Sequence, residues 1–356
     1  MVGDVEVYPA DSLASMTGFL NEQFQIDPYP SIDVQSVLTT QKPEVDFSDV
    51  RGQEAIKRAM MIAAAGAHNI LMIGPAGTGK TLMSKDLPGI LPPMTREESL
   101  EVTRIYSIIG QIPRGQPLMT MRPVRTPHHT ASSVAMIGGG TVPRPGEVSL
   151  AHHGVLFMDE MPEFSRTALE TLRQPLEDGT VTIARTRRSL EFSSQFMLMA
   201  AMNPTPKGDS PTDEISRRQM ERYLSKISGP LIDRIYIHVE VPAVPFGQLD
   251  SAQRGTDSKT MWQQVVAARQ IQLKRNGSPT KTNSTLSSRD LDEFVQVDAE
   301  GRLLMKQAMT ELGLSSRAYD KIRRVACTIA DLEDCMDVGV QHVAEAIQYR
   351  LLDRHL

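Results

Sequence analysis

The chain has 356 residues, of which 40% are apolar, 23% charged and 5% aromatic. This composition excludes collagen-like, intrinsically disordered and disulfide-scaffold proteins, and the length predicts two or three globular domains. A formal net charge of −5 excludes a molecule that is basic throughout. The first 50 residues carry nine acidic side chains and one basic side chain, so the other 306 residues have a net charge of +3. This uneven distribution is compatible with a local basic site.

Several features predict a cytoplasmic protein that does not enter a membrane. The longest run of apolar residues and glycine, Ala59 to Ala67, is much shorter than the ~20 residues that a membrane-spanning helix needs. The sequence begins with neither a basic nor an apolar segment, so no signal peptide is expected. Cys327 and Cys335 are expected to be reduced, because at helical spacing they lie ~12 Å apart.

Buried strands alternate with helices between residues 49 and 245. Short apolar runs predict the strands, and each run stops at glycine, proline or a polar residue. Continuous apolar strands separated by helices are typical of an α/β fold, in which helices cover both faces of a parallel sheet. Functional residues then collect at the carboxyl ends of the strands. The predicted strands are Asn69–Ile73, Val155–Met158, Phe196–Met202 and Ile235–Val241, and the helices beside the first strand are Gln53–Ala65 and Gly79–Leu87.

The two ends of the chain differ from this central region. Residues 1–48 are acidic and weakly patterned, which predicts a linker or a partner-dependent segment. Residues 246–356 predict a small all-helical domain. Its expected helices are Met261–Lys274, Ser288–Val295, Gly301–Leu312, Arg317–Leu332 and Val340–Leu352.

The first predicted strand continues into a phosphate-binding loop. Residues 74–81 fit the pattern G-x-x-x-x-G-K-[ST] between a strand and a helix, which is the context that this pattern requires. The glycines let backbone amides surround phosphate oxygens, while Lys80 reaches the β- and γ-phosphates and the Thr81 hydroxyl binds Mg²⁺. The predicted nucleotide ligands are Gly74, Pro75, Ala76, Gly77, Thr78, Gly79, Lys80 and Thr81.

Two later strands add residues that suit ATP hydrolysis. The strand Val155–Met158 delivers Asp159 and Glu160 to the edge of the sheet. Asp159 is expected in the coordination shell of Mg²⁺, and Glu160 is expected to polarise the attacking water as a general base. Asn203 ends the next strand, where its amide is placed to align that water, although a turn-forming Asn-Pro pair is an alternative interpretation.

A basic hairpin is predicted between these two strands. Polar and apolar residues alternate on both sides of a short arginine-rich stretch within Thr180–Phe192. Arg185, Arg187 and Arg188 lie at or near the tip. They are candidates for contacts with DNA phosphates, and a solvated basic turn is the alternative.

Two histidine pairs, His128–His129 and His152–His153, raise the question of a metal site. Adjacent side chains in an extended segment point to opposite faces, and no cysteine or carboxylate lies at ligand spacing in the sequence. A structured insert before the second strand is therefore expected rather than a metal site. The segment after Asn203 contains no cysteine, so no structural zinc is expected there.

Longer stretches of the sequence resemble the magnesium-chelatase-like AAA+ ATPases of the ComM/YifB family, from about Asp46 to the C-terminus. The most specific of these stretches are Asp46-Phe-Ser-Asp-Val-Arg-Gly-Gln53, Arg125-Thr-Pro-His-His-Thr130, Gly154-Val-Leu-Phe-Met-Asp-Glu160, Leu172-Arg-Gln-Pro-Leu-Glu-Asp-Gly179 and Lys226-Ile-Ser-Gly-Pro-Leu-Ile-Asp-Arg234.

This resemblance implies a division of the chain and a role for individual residues. Residues 49–245 resemble an AAA+ core with a helix-2 insert at about 103–150 and a pre-sensor-1 hairpin at about 180–192, and residues 246–356 resemble its helical lid. Lys80 and Thr81 match Walker A, and Asp159 and Glu160 match Walker B. By the same resemblance, Asn203 matches sensor 1, Arg234 the arginine finger and Arg317 sensor 2.

The family resemblance also implies partners. Its members are taken to be hexameric ring ATPases that use ATP and Mg²⁺ and act on DNA as branch-migration helicases. Residues 1–48 resemble the remnant of a Lon-like domain, and Tyr236 stands where an acidic residue is usual. Two alternatives stay open: a magnesium-chelatase motor subunit that drives metal insertion, and an ATP-gated scaffold. The arginine cluster favours DNA, because a porphyrin-handling partner needs no cationic pore.

Overall fold

A computed structural model describes residues 6–28, 38, 46–112, 118–185, 188–205, 218, 223, 225–244 and 255–350. Its centre is a parallel sheet of five strands. In order across the sheet these are β2 (Val124–Arg125), β5 (Val155–Met158), β8 (Met197–Met202), β1 (Ile70–Ile73) and β9 (Ile237–Glu240). Strands β5, β8 and β1 are buried along their whole length, as expected for a sheet that is covered on both faces.

Short helices connect these strands. Helix α2 (Glu54–Gly66) lies between two residues with a left-handed backbone conformation, Gln53 and Ala67. Helix α4 (Arg96–Ile108) begins with a capping box, in which the side chains of Thr95 and Glu98 each bind the backbone amide of the other residue. The helices up to β9, outside the segment between α4 and β5, are α1 (Leu13–Leu20), α2 (Glu54–Gly66), α3 (Lys80–Asp86), α4 (Arg96–Ile108), α7 (Arg166–Glu170), α8 (Arg173–Asp178) and α9 (Gly229–Ile232).

Two hairpins are joined to this core. The segment between α4 and β5 contains β2, a short hairpin and two helices, which are α5 (Ser133–Ile137), β3 (Gly138–Gly139), β4 (Arg144–Pro145) and α6 (Glu147–Leu150). The second hairpin pairs β6 (Thr180–Arg185) with β7 (Arg188–Ser193) in antiparallel register.

The C-terminal part of the chain is helical and packs against α2. Its helices are α10 (Ser258–Asn276), α11 (Ser288–Phe294), α12 (Ala299–Glu311), α13 (Ser316–Leu332) and α14 (Val340–Gln348). Because α2 lies between the sheet and this lid, nearly every residue from Ile56 to Gly66 is buried. The side chains of Arg269 and Gln272 on α10 donate to the carbonyls of Ala64 and Ala65, and so cap the C-terminus of α2.

The structure confirms the predicted fold class. All four predicted strands form, with ends that differ from the prediction by at most two residues. The two-residue strand β2 was missed, because a run this short has no periodicity to detect. The predicted hairpin also forms, but Arg187 and the side chains of Arg185 and Arg188 lie outside the described part of the structure.

The acidic N-terminal segment is more structured than a linker where it is described. It contains α1, and Phe47 is fully buried in the main hydrophobic cluster. Both cysteines are unpaired, as expected. Among the described helices, none combines the length and the hydropathy that a membrane span requires.

Gly154, the residue before β5, lies close to the backbone of Pro123, the residue before β2. A Cβ atom at this position would lie 1.9 Å from the carbonyl oxygen of Pro123, which accepts a hydrogen bond from the amide of Val155. We expect Gly154→Ala to lower the free energy of unfolding by ~1–3 kcal/mol in urea denaturation, because the backbone must shift. Gly229→Ala is the matched control, since a Cβ there meets no atom within 4 Å and its effect is expected within ~0.5 kcal/mol. Equal effects of the two substitutions would contradict this account.

Candidate nucleotide-binding site

The loop between β1 and α3 has the backbone conformation of a phosphate cradle. Gly77 and Gly79 have φ angles of 79° and 85°, in the left-handed region that favours glycine. A Cβ atom at either position would meet no other atom within 4 Å, so conformation rather than space requires glycine here.

Lys80 folds back into this loop. Its ammonium donates to the carbonyl oxygens of Gly74 at 2.6 Å and Pro75 at 2.7 Å, and to Oδ1 of Asn203 at 3.2 Å. The residue is only 7% exposed. Burial lowers the pKa of Lys80, while the charges of Asp159 and Glu160 oppose this shift. A phosphate group at this point would supply an anion in direct contact with the buried ammonium, which no described residue provides.

Asp159 and Thr81 meet across the carboxyl edge of the sheet. The Thr81 hydroxyl donates to Oδ2 of Asp159 at 2.8 Å, although the two residues are 78 positions apart. The other carboxylate oxygen, Oδ1, accepts the backbone amide of Glu160 at 3.0 Å. A hydroxyl beside a carboxylate is a donor set that suits Mg²⁺.

Glu160 occupies an unusual backbone conformation. Its φ angle is 51°, which is left-handed for a residue that has a Cβ atom. Such conformations carry a cost of about 1–3 kcal/mol and concentrate at functional sites. The side chain is 52% exposed and faces the cavity beside the phosphate loop.

One cavity is lined by the phosphate loop, the carboxylates of Asp159 and Glu160, and the side-chain amide of Asn203. Its volume is about 370 Å³. A triphosphate and its cation fit this lining, because glycine amides, a lysine, a hydroxyl and a carboxylate all converge on it. The described residues that line it are Ala76, Gly77, Thr78, Gly79, Lys80, Thr81, Leu82, Asp159, Glu160 and Asn203.

His129 is a neighbour of Glu160 that the sequence did not indicate. Its Nδ1 lies 3.9 Å from Oε2 of Glu160. The residue follows β2, which pairs with β5, so the segment after β2 comes beside the segment after β5. Since β2 itself was not predicted, its carboxyl end could not be placed.

The two candidate arginines lie at the opposite edge of the sheet. The side-chain amide of Asn69, the residue before β1, donates to the carbonyl of Arg234 at 2.9 Å. Gly74, where the phosphate loop begins, is five residues further along this strand, which is ~16 Å in extended backbone. Arg317 lies near the same edge, with its Nη1 3.5 Å from Oδ2 of Asp233.

Both arginines are held by carboxylates. Arg234 donates to Glu177 on α8 and to the carbonyl of Pro230. Asp233 binds Arg317 and also accepts a hydrogen bond from Lys321. Burial raises the pKa of Asp233, but the hydrogen bond and charge of Lys321, with the charge of Arg317, outweigh burial and leave the pKa below its usual value.

The expectation that adjacent histidines point apart was wrong. The rings of His152 and His153 stack with centroids 3.9 Å apart, and both Nε2 atoms lie 2.9 Å from Oε2 of Glu101 on α4. The reason is that residues 151–153 form a turn rather than an extended segment, and His153 has a φ angle of 54°. A carboxylate distant in sequence is therefore close in space.

The hydrogen bonds of His152 do not suit a metal ligand. Its Nδ1 accepts the backbone amide of Gln195 at 3.0 Å, so in the neutral ring the proton lies on Nε2, which donates to Glu101. A protonated ring nitrogen has no lone pair for a cation. The same argument applies to a second group, Glu333, Cys335 and His342, because Nδ1 of His342 accepts the amide of Gly339. The cysteine-free segment after Thr205 lies largely outside the described residues.

Comparisons with known proteins agree with this geometry. The family model for magnesium chelatase, subunit ChlI, matches residues 46–249, and the model for its C-terminal part matches residues 255–350. The chain is 41% identical over 360 residues to competence protein ComM of Haemophilus influenzae, which covers all of this chain and 70% of that protein. The chain belongs to the ComM/YifB family of magnesium-chelatase-like AAA+ proteins.

The chain is also similar to an uncharacterized protein and to a magnesium-chelatase subunit. The uncharacterized protein YifB of Escherichia coli is 41% identical over 351 residues, covering 98% of this chain and 68% of that protein. The magnesium-chelatase 38 kDa subunit of Rhodobacter capsulatus is 24% identical over 181 residues, covering 46% of this chain and 51% of that protein. The ComM/YifB proteins therefore match a much larger part of the chain than this chelatase subunit does.

The histidine pair makes stability depend on pH. Burial and the charge of His153 lower the pKa of His152 to about 4, although Glu101 opposes this shift. The unfolded chain, with an ordinary pKa of 6.5, binds more protons between these two values, so the free energy of unfolding falls as the pH drops from 6.5 to 4.

We expect His152→Gln to reduce this loss by up to ~3 kcal/mol across that pH interval. Urea denaturation at several pH values measures it. His128→Gln is the matched control, because His128 is exposed and, among the described residues, its side chain contacts only its neighbours Thr130 and His129. Identical pH profiles for His152→Gln and the wild type would contradict the assignment.

Proposed function

We propose that this chain hydrolyses ATP and that each catalytic site is completed by a second copy of the chain. The observation that carries this proposal is that the candidate catalytic residues lie at two opposite edges of the sheet. Lys80, Thr81, Asp159, Glu160 and Asn203 share one cavity at the carboxyl edge of the sheet. Arg234 and Arg317 are bonded at the amino edge, and the backbone of Arg234 is ~16 Å along β1 from the start of the phosphate loop.

Each residue in the cavity has a role in this proposal. Lys80 exchanges its bonds to Asn203 and the loop carbonyls for the β- and γ-phosphates of ATP. Thr81 and Asp159 hold Mg²⁺, which supplies positive charge beside the phosphates when it is bound. Glu160 accepts a proton from the attacking water, and the released Asn203 amide orients that water.

Arg234 of the adjacent subunit is proposed to stabilise the charge that develops on the γ-phosphate. Arginine fingers of this kind contribute ~10³–10⁵ to kcat. A head-to-tail arrangement of identical interfaces closes into a ring, which supports a cyclic oligomer, most simply the hexamer that the family resemblance implies.

DNA is the proposed substrate of this motor. ComM is named as a competence protein, and this chain covers 70% of it. The β6–β7 hairpin lies between Walker B and Asn203 in sequence and carries three arginines at or near its tip. We propose that it contacts DNA phosphates and that ATP hydrolysis drives branch migration. A motor for metal insertion and a non-hydrolytic scaffold are the outcomes that the experiments below distinguish from it.

Two substitutions separate binding of ATP from its hydrolysis. We expect Lys80→Ala to abolish tight ATP binding, because it removes the buried ammonium of the phosphate loop. Glu160→Gln should bind ATP normally and retain it, with turnover lowered ~10²–10⁴-fold, since only the base is lost. Bound nucleotide and phosphate release measure the two effects. Lys85→Ala is the matched control, an exposed lysine on the same helix. Normal turnover in Glu160→Gln would disprove the assigned base.

Alanine at Arg185, Arg187 and Arg188 tests the DNA substrate. Each phosphate contact contributes ~0.7–0.9 to the slope of log K against log salt concentration. The triple variant should flatten this slope by at most ~2–3 and lose the stimulation of ATPase activity by DNA, while basal activity remains. DNA binding across a salt series and ATPase assays on the same samples measure this.

A matched triple variant carries alanine at Lys274, Arg289 and Lys306, which are exposed on the lid. It should bind DNA like the wild type. Unchanged DNA affinity and slope in the hairpin variant would remove the argument for DNA and leave the metal-insertion motor. ATP binding without any hydrolysis would instead support the scaffold.

A further inference from the structure

The segment that carries Arg234 is bonded to the lid at several points. We call residues 233–237 the finger segment. Lys321 on α13 donates to Oδ1 of Asp233, and Arg317 lies beside the other oxygen of this carboxylate. Arg350, just after α14, donates to the carbonyls of Ile235 at 2.7 Å and Tyr236 at 3.3 Å.

Tyr236 adds a contact with another part of the lid. Its hydroxyl donates to the carbonyl of Ser284 at 3.0 Å, and its ring lies against His68, which is linked to Thr328 on α13. Tyr236 therefore adds a hydrogen bond between the finger segment and the lid.

The core also holds the finger segment, since the backbone amides of Tyr236 and Ile237 donate to the carbonyl of Asn69 at 3.0 and 3.1 Å. Asn69 donates to the carbonyl of Arg234, and Glu177 binds its guanidinium. The lid cations are more deeply placed, since the Lys321 side chain is 8% exposed and Arg350 is 2% exposed. Hydrogen-bonded charges that are this buried hold their partners in a narrow range of positions.

We propose that the lid sets the position of Arg234 and that Lys321 is a positioning residue, acting through Asp233. This inference rests on the proposed function, because it concerns the hydrolysis that Arg234 assists in the adjacent subunit. A movement of the lid then moves the finger segment with it, and so connects the state of one subunit to catalysis in the next.

Loss of the Lys321 ammonium should displace Arg234 without changing the chain's own phosphate loop. A misplacement of about 1 Å can lower a rate ~10²-fold. We therefore expect Lys321→Met to lower kcat by ~10–100-fold with little change in KM for ATP. Lys321→Arg keeps the charge and should restore most of the activity, and Lys306→Met, at an exposed lysine of α12, should have no effect.

Mixed oligomers distinguish positioning of the finger from other roles. A reference mixture of Lys80→Ala and Arg234→Ala chains should regain activity, because some interfaces then combine an intact loop with an intact finger. Lys321→Met should behave like Arg234→Ala: it regains activity when mixed with Lys80→Ala chains and does not when mixed with Arg234→Ala chains. Thermal unfolding and the size of the oligomer are measured on the same samples.

The possible results distinguish the positioning role of Lys321 from the role of Arg234 in the adjacent subunit. Recovery of Lys321→Met by Arg234→Ala chains, or an unchanged kcat, would overturn the positioning role while the trans finger stands. Absence of activity in the reference mixture, despite assembled oligomers, would overturn the trans finger itself and this inference with it. If Lys321→Met does not fold, Tyr236→Phe replaces it, since it removes one hydroxyl and should show the same pattern of recovery with a smaller loss of kcat.

Discussion

The two edges of one parallel sheet determine how this protein is organised. In a parallel sheet all strands point the same way, so residues that precede strands and residues that follow them lie at opposite edges. The phosphate loop, Asp159, Glu160 and Asn203 follow strands, whereas Asp233 and Arg234 precede β9. Five residues of extended chain, ~16 Å, separate the level of Arg234 from the start of the phosphate loop. In the proposed function, this distance makes each chain half of two catalytic sites rather than the whole of one.

Helix α2 connects the sheet to the lid. It is buried against the sheet on one side and against α10 and α13 on the other, within one continuous hydrophobic cluster. Arg269 and Gln272 fix the lid to the C-terminal end of α2, and α2 ends just before the amino edge of the sheet. The lid is thus attached at the edge that carries Arg234, away from the phosphate loop of its own subunit.

The sequence predicted those parts of the molecule that depend on local pattern. Buried strands such as Val155–Met158 have an apolar run that any parallel sheet requires, and the glycines of the loop follow from its conformation. The convergence of Asp159, Thr81 and Asn203 followed from the rule that carboxyl ends of parallel strands meet. By contrast, β2 was too short to have a pattern, and so the approach of His129 to Glu160 was missed.

Contacts between distant segments could not be predicted in this way. Glu101 meets His152 and His153 although it lies 51 and 52 positions away from them, and nothing in the local sequence specifies this contact. The link from Lys321 to Asp233 joins residues 88 positions apart and depends on how the lid docks. Such contacts arise from tertiary packing, and a single sequence carries no periodic signal for them.

The dependence of ATP turnover on chain concentration tests most directly that catalysis needs two subunits. Turnover per chain is measured from dilute to concentrated protein, with the fraction of assembled chains determined on the same samples by analytical ultracentrifugation. The account predicts that turnover per chain rises in proportion to the assembled fraction and approaches zero for single chains, while ATP binding persists. Equal turnover per chain in dilute samples that contain only single chains would contradict it.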